Sequence, residues 1–134
     1  MKKYLLDSHT LIWAIVDDSK LSTKVLNILQ DKDNELFVST VSFWEIAIKT
    51  GKGKLDLKNF NIQLLPFYCN RLEIRIICLE PNEAVGYADL TLYEEHRDPF
   101  DRMLICQCIK NGYTLISKDN KIRLYEQNGL KYVW

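Results

Sequence analysis

Four acids, Asp7, Glu45, Asp101 and Asp119, stand where the local pattern passes from one element to the next. Carboxylates gathered at one place repel and raise one another's pKa, and burial adds to the cost unless something positive compensates them. A divalent cation resolves the conflict. Mg²⁺ or Mn²⁺ takes hard oxygen ligands and keeps several waters, so a few carboxylates without His or Cys are the donor set to expect.

The elements that must position these acids are legible in outline. Tyr4 to Leu6 is a short apolar run that reads as a buried strand, followed by a helical pattern through Leu11, Ile12 and Ile15. Ser22 caps a helix to about Asp31, with Val25, Leu26 and Leu29 inward. Leu36 to Thr40 is apolar and β-rich. Ser42 then caps a helix in capping-box spacing with Glu45, and Gly51 ends it. Asn59 to Arg71 reads as a helix interrupted by Pro66, and Ile74 to Cys78 as a strand. Pro81 opens a helix through Leu90. After a loop from Tyr93 to Arg97, Asp98 and Pro99 start another that stops near Gly112. Thr114 to Ser117 is a strand, Ile122 to Gln127 a short helix, and Tyr132 to Trp134 an edge strand. Strands that are apolar runs and alternate with helices predict an α/β fold, a parallel sheet covered on both faces.

In such a sheet the functional crevice lies outside the carboxyl ends of the strands. Asp7, Glu45 and Asp119 each follow a strand and so belong to that edge. Asp101 lies in the first turn of a helix that precedes a strand, so its placement there depends on the path of the chain. It shares a helix face with Leu104, Ile105 and Cys108, which predicts partial burial. Each acid also has a bland reading as a helix cap: Asp7 before Ser8, Glu45 with Ser42, Asp119 before the last helix, and Asp98 most simply of all.

The bulk properties admit one domain over residues 1–134 and exclude several classes. The chain has 134 residues, 47% of them hydrophobic, enough for a core without staples. Its 18 basic and 18 acidic side chains balance, so no global field announces nucleic acid or a membrane. Asp7 interrupts the apolar start before it reaches signal-peptide length, and no run could span a bilayer, so a cytoplasmic protein is expected. Cys69, Cys78, Cys106 and Cys108 lack the spacing of zinc or dithiol sites and read as reduced and structural.

The segments LLDSHTLIW (Leu5 to Trp13), VSFWEIAIKTGKGKL (Val41 to Leu55), HRDPFDRMLICQ (His96 to Gln107) and TLISKDNKI (Thr114 to Ile122) lie in this order along nearly the whole chain. Together they resemble the PIN-domain nucleases, and among them the VapC-like toxins of bacterial toxin-antitoxin pairs. The resemblance implies a three-layer α/β/α sandwich and a metal-dependent endoribonuclease. It implies Asp7 and Asp101 as main Mg²⁺ or Mn²⁺ ligands, with Glu45 and Asp119 completing the cluster. Ser8 and Ser117 would orient a carboxylate or a water. It also implies an RNA substrate, a homodimer, and a small antitoxin whose tail occupies the site.

Other residues invite roles around that core. Lys49, Lys52 and Lys54 cluster at the end of the Glu45 helix. Dipole compensation is the favoured reading for Lys49 and phosphate contact for Lys52 and Lys54. Arg97 and Arg102 flank the acids as further phosphate contacts, or as partners of a neighbouring carboxylate. His9 and His96 are lone histidines near element ends and read as hydrogen-bonding or surface residues. Trp13 and Trp44 read as packing residues rather than base-stacking ones. A response-regulator-like phosphoacceptor is disfavoured, because Leu36 to Thr40 ends without the acceptor Asp that such a domain wants. A catalytically idle protein-binding module is the remaining rival.

Overall fold

Parallel strands cannot be joined by tight turns, so each needs a crossover, and here helices supply them. The computed structural model describes all residues except Met1, Lys54, Asp56 and Lys58. Its strands are β1 (Lys3–Leu6), β2 (Glu35–Ser39), β3 (Ile74–Ile77), β4 (Thr114–Ile116) and β5 (Lys131–Val133). They form one sheet in the order β3-β2-β1-β4-β5, with every pairing parallel. The α-helices are α1 (Ser8–Val16), α2 (Thr23–Gln30), α3 (Thr40–Gly51), α4 (Leu65–Arg71), α5 (Pro81–Gly86) and α6 (Pro99–Asn111). A 3-10 helix, Asn120–Asn128, links β4 to β5.

The two-residue period of the strands sends alternate side chains to opposite faces. Tyr4, Leu6, Leu36, Val38 and Ile116 pack with Leu11 and Ile12 of α1, Val25 of α2, and Leu65 and Cys69 of α4. Leu5, Phe37 and Leu115 pack with Leu104, Ile105 and Cys108 of α6, and with Ile122 and Tyr125 of the 3-10 helix. Helix α3 joins both sides, through Ile46 on the first and Val41 on the second. The fold is therefore the expected α/β/α sandwich, with a fully parallel sheet. Among the described residues no helix is long and apolar enough to cross a membrane.

Several boundaries differ from the sequence expectation for identifiable reasons. Ser39, not Ser42, caps α3: its hydroxyl accepts from the Val41 N–H at 3.1 Å. Ser42 lies inside the helix, buried, and its hydroxyl has no hydrogen-bond partner. Glu45 consequently sits in the second turn rather than the first. The expected helix from Asn59 is a 3-10 turn, Ile62–Leu64, followed by α4, because the Asn61 side chain accepts from Gln63 N–H and sets a separate turn. Pro66 then falls in the first turn of α4, where a missing N–H costs nothing. Helix α5 ends at Gly86 and continues only as a 3-10 turn, Tyr87–Asp89. All four cysteines are free, with Cys69 and Cys108 in the core and Cys78 exposed, so the structural reading does not extend to Cys78.

Candidate functional site

The strand order reverses direction between β1 and β4: from β1 the chain builds outward through β2 and β3, and then on the other side through β4 and β5. A crevice opens outside the carboxyl ends at such a switch point. Asp7 is the first residue beyond β1, and its N–H donates to the Ile116 carbonyl at the end of β4 at 3.1 Å. Ser117 and Asp119 follow β4 directly. The switch point is thus lined by acids and hydroxyls fixed by the sheet itself.

Asp7 caps α1, with Oδ1 accepting from the Thr10 N–H at 2.8 Å. Asp119 caps the last helix in the same way, with Oδ1 accepting from the Lys121 N–H at 2.9 Å. The cap reading is correct for both, yet a cap consumes one oxygen. In Asp119 the other, Oδ2, faces His96. Asp98 is the N-cap of α6, accepting from Phe100 N–H at 2.9 Å, and Asp101 follows in the first turn with its carboxylate left for other work. Burial pushes the Asp7 carboxyl above its ordinary value. Hydrogen bonds from Ser117 and Thr10 oppose that rise, and the Asp101 charge adds to it. Asp101 and Asp119 lie against the same histidine, His96, so the structure brings Asp101 to the strand-end edge, the placement that the order of elements left open.

Glu45 is more deeply engaged. One of its oxygens accepts from the Ser8 hydroxyl and the other from the Lys49 ammonium, one turn further along α3. Ser8 therefore orients Glu45 rather than Asp7, while the Ser117 hydroxyl accepts from the Asp119 N–H at 3.2 Å. Partial burial works against the Lys49 charge, but the hydrogen bond and attraction of Glu45, with Asp98 and Asp101 adding to them, hold its pKa above the usual lysine value. Lys49 thus belongs to the acid cluster, where dipole compensation alone had been expected.

His96 is the residue that the sequence did not offer as part of the site. It is buried, 4% exposed, with Nδ1 2.9 Å from the Tyr125 hydroxyl. Its Nε2 lies 3.6 Å from Asp101 Oδ2 and 3.6 Å from Asp119 Oδ2. Among the described residues, His96, Asp101 and Asp119 form a group able to share one ion, with donor atoms all within 4.8 Å of one another. Of the two roles expected for His96, the hydrogen-bonding one holds, through Tyr125, and the surface one is corrected. Its burial comes from Tyr125, 29 residues further on, and the one local signal was its position just ahead of the Asp98-Pro99 helix start.

Arg102 also departs from expectation. Instead of facing solvent as a phosphate contact it is 3% exposed, and its guanidinium donates to the Tyr87 and Tyr125 hydroxyls and to the carbonyls of Leu90 and Thr91. Its donors are spent on holding the 87–91 segment and Tyr125. Lys52, at the C-cap of α3, and Arg97, loosely paired with Glu94 at 3.9 Å, are exposed. Lys54 lies outside the described residues. His9 is exposed against Trp13, and Trp44 is 64% exposed with its edge on Phe100, so Trp44 is not a core residue.

The family description "PIN domain" matches residues 4–127. The chain belongs to the PIN domain family. This PIN domain is similar to "Ribonuclease VapC22" of Mycobacterium tuberculosis, 27% identical over 135 residues that cover all of both chains. Its fold is similar to that in the structure of VapBC2 from Rickettsia felis bound to a DNA fragment from their promoter, with a TM-score of 0.70 and 20% identity over 98% of each chain. It is similar also to VapBC-1 from nontypeable Haemophilus influenzae, with a TM-score of 0.67 and 17% identity over 98% of this chain and 96% of that one.

Two outcomes follow from the site's electrostatics. Arg102→Met should lower the urea midpoint clearly, because removing the guanidinium leaves the buried Tyr125 hydroxyl, the half-buried Tyr87 hydroxyl and two carbonyls without their donor, whereas Arg97→Ala should leave it unchanged. Asp7 has a folded pKa raised above the ordinary 3.8, so its contribution is fully present below that value and is lost as pH rises through the folded pKa. In EDTA, Asp7→Asn should therefore unfold at a higher temperature than the wild type at pH 7, and the gap should close below about pH 4.

Proposed function

We propose that this PIN domain is a metal-dependent endoribonuclease that hydrolyses RNA phosphodiester bonds, acting as the toxin of a toxin-antitoxin pair. The observation that carries the reading is the convergence of Asp7, Asp101 and Asp119 at the β1/β4 switch point, where buried and half-buried carboxylates gather beside the Lys49 ammonium. The donor set fits Mg²⁺ or Mn²⁺: oxygens of several acids in an open crevice, with no thiolate among them. Asp7 and Asp101 would hold the ion, Asp119 would complete its surroundings, and Glu45 would act one step back through Ser8 and Lys49. When bound, the ion supplies positive charge to the scissile phosphate and a water of lowered pKa.

The chain's own residues supply the rest. The Thr10 N–H fixes one oxygen of the Asp7 carboxylate, so this acid is oriented before substrate arrives. Glu45 and Asp119 were the two candidates for general base. Both oxygens of Glu45 are engaged, whereas Asp119 Oδ2 is free of its cap, which favours Asp119 over Glu45 as the acid that acts directly on the ion and its water. The water's oxygen bonds to phosphorus as the bond to the leaving sugar oxygen breaks. Lys52 and Arg97, both exposed, are suited to the flanking phosphates.

The likeness to a protein named a ribonuclease supports RNA as substrate, and the likeness to VapBC structures supports an antitoxin partner. The homodimer is proposed from the resemblance to VapC-like toxins. The test is cleavage of structured RNA by the purified protein. Cuts should appear with Mg²⁺ or Mn²⁺, vanish in EDTA and in Asp7→Asn or Asp101→Asn, and slow by about 10²-fold or more in Asp119→Asn. A folded, antitoxin-free protein that cuts no RNA would instead be a binding module.

A further inference from the structure

The contacts around His96 accommodate a proton on Nδ1. The Tyr125 hydroxyl oxygen has two lone pairs and one hydrogen. Arg102 Nη1 donates to it at 2.9 Å, and its hydrogen has the His96 carbonyl as an acceptor at 3.5 Å. The remaining lone pair is able to accept from His96 Nδ1–H, 2.9 Å away, in the tautomer that protonates Nδ1. On this assignment Nε2 bears a lone pair, is buried, and has no hydrogen-bond partner.

The distances agree. A Nε2–H beside carboxylates would draw one of them to about 2.7–2.9 Å, the length of a charge-assisted hydrogen bond. Instead Nε2 stands 3.6 Å from Asp101 Oδ2 and 3.6 Å from Asp119 Oδ2, outside hydrogen-bond reach of both. Three acceptors aimed at one another with no donor between them call for a cation. Two donors that share a small divalent ion, each about 2.1 Å from it, lie about 3 to 4 Å apart, and both His96 separations are of that size. The other ring nitrogen is also arranged as in metal-bound histidines, donating to a fixed acceptor that sets the tautomer.

We propose that His96 Nε2 is a direct ligand of the divalent ion, beside Asp101 and Asp119, so that the site is a mixed imidazole-carboxylate centre rather than one built from carboxylates alone. The inference rests on the reading of this cluster as a metal site. A nitrogen donor tilts the site from Mg²⁺ towards first-row transition ions, among which Mn²⁺ binds most weakly and is the strictest probe.

The experiment is electron spin-echo envelope modulation of Mn²⁺ bound to the ¹⁵N-labelled full chain. Coupling to a directly bound imidazole nitrogen is expected in the wild type and in His9→Gln, and should be absent in His96→Gln. By calorimetry His96→Gln should lose about 10- to 100-fold in Mn²⁺ affinity and change little towards Mg²⁺. Absence of nitrogen coupling in wild-type protein with Mn²⁺ bound overturns the proposal whether or not the variant folds, as does failure of Mn²⁺ to bind. RNA cleavage in Mg²⁺ by the same preparation separates the two readings. Cleavage without nitrogen coupling leaves the nuclease standing and removes His96 as a ligand; coupling without cleavage does the reverse.

Discussion

Burial of carboxylates at the β1/β4 switch point is the constraint on which this structure turns. Asp7 is 8% and Glu45 3% exposed, with Asp101 and Asp119 half-buried beside them. Removing charges from water costs several kcal/mol each unless they are compensated. The fold compensates them partially and unevenly. Glu45 is fully served by Ser8 and Lys49, whereas Asp7 and Asp119 are each steadied by a helix N–H but not neutralised, and Asp101 stands beside them. A site that leaves its outer acids wanting a cation and satisfies its inner one is suited to holding an ion reversibly.

Economy of parts explains how so small a chain reaches this arrangement. Asp7 and Asp119 each cap a helix with one oxygen, and the helix N-terminus favours the negative charge in return. Asp98 takes the cap of α6 and so releases Asp101 into the crevice. Beneath them, hydrogen bonds run from the 87–91 segment through Arg102 and Tyr125 to His96, whose Nε2 stands 3.6 Å from both Asp101 and Asp119. Stability and site geometry thus share the same residues.

The alternation of short apolar strands with helices was enough to predict a parallel sheet, and the position of Asp7 and Asp119 just after strands was enough to place them at its functional edge. Local pattern failed where a contact spanned distance. The depth of His96 depends on Tyr125, and the burial of Arg102 on Tyr87 and Tyr125 together, neither of which has a periodic signature. Ser39 and Ser42 both suit a helix cap by composition, and the choice fell to Ser39 because β2 runs on to that residue. Asp101 needed the resemblance to the PIN-domain nucleases, since no rule of element order brings the start of α6 to the end of β1.

The most direct test of the central claim is to locate the ion. Crystals of the chain equilibrated with MnCl₂ should show an anomalous peak at the switch point, against the carboxylates of Asp7 and Asp101. Saturating Mn²⁺ that produces no peak there, or one only at a surface site remote from these acids, would contradict the account.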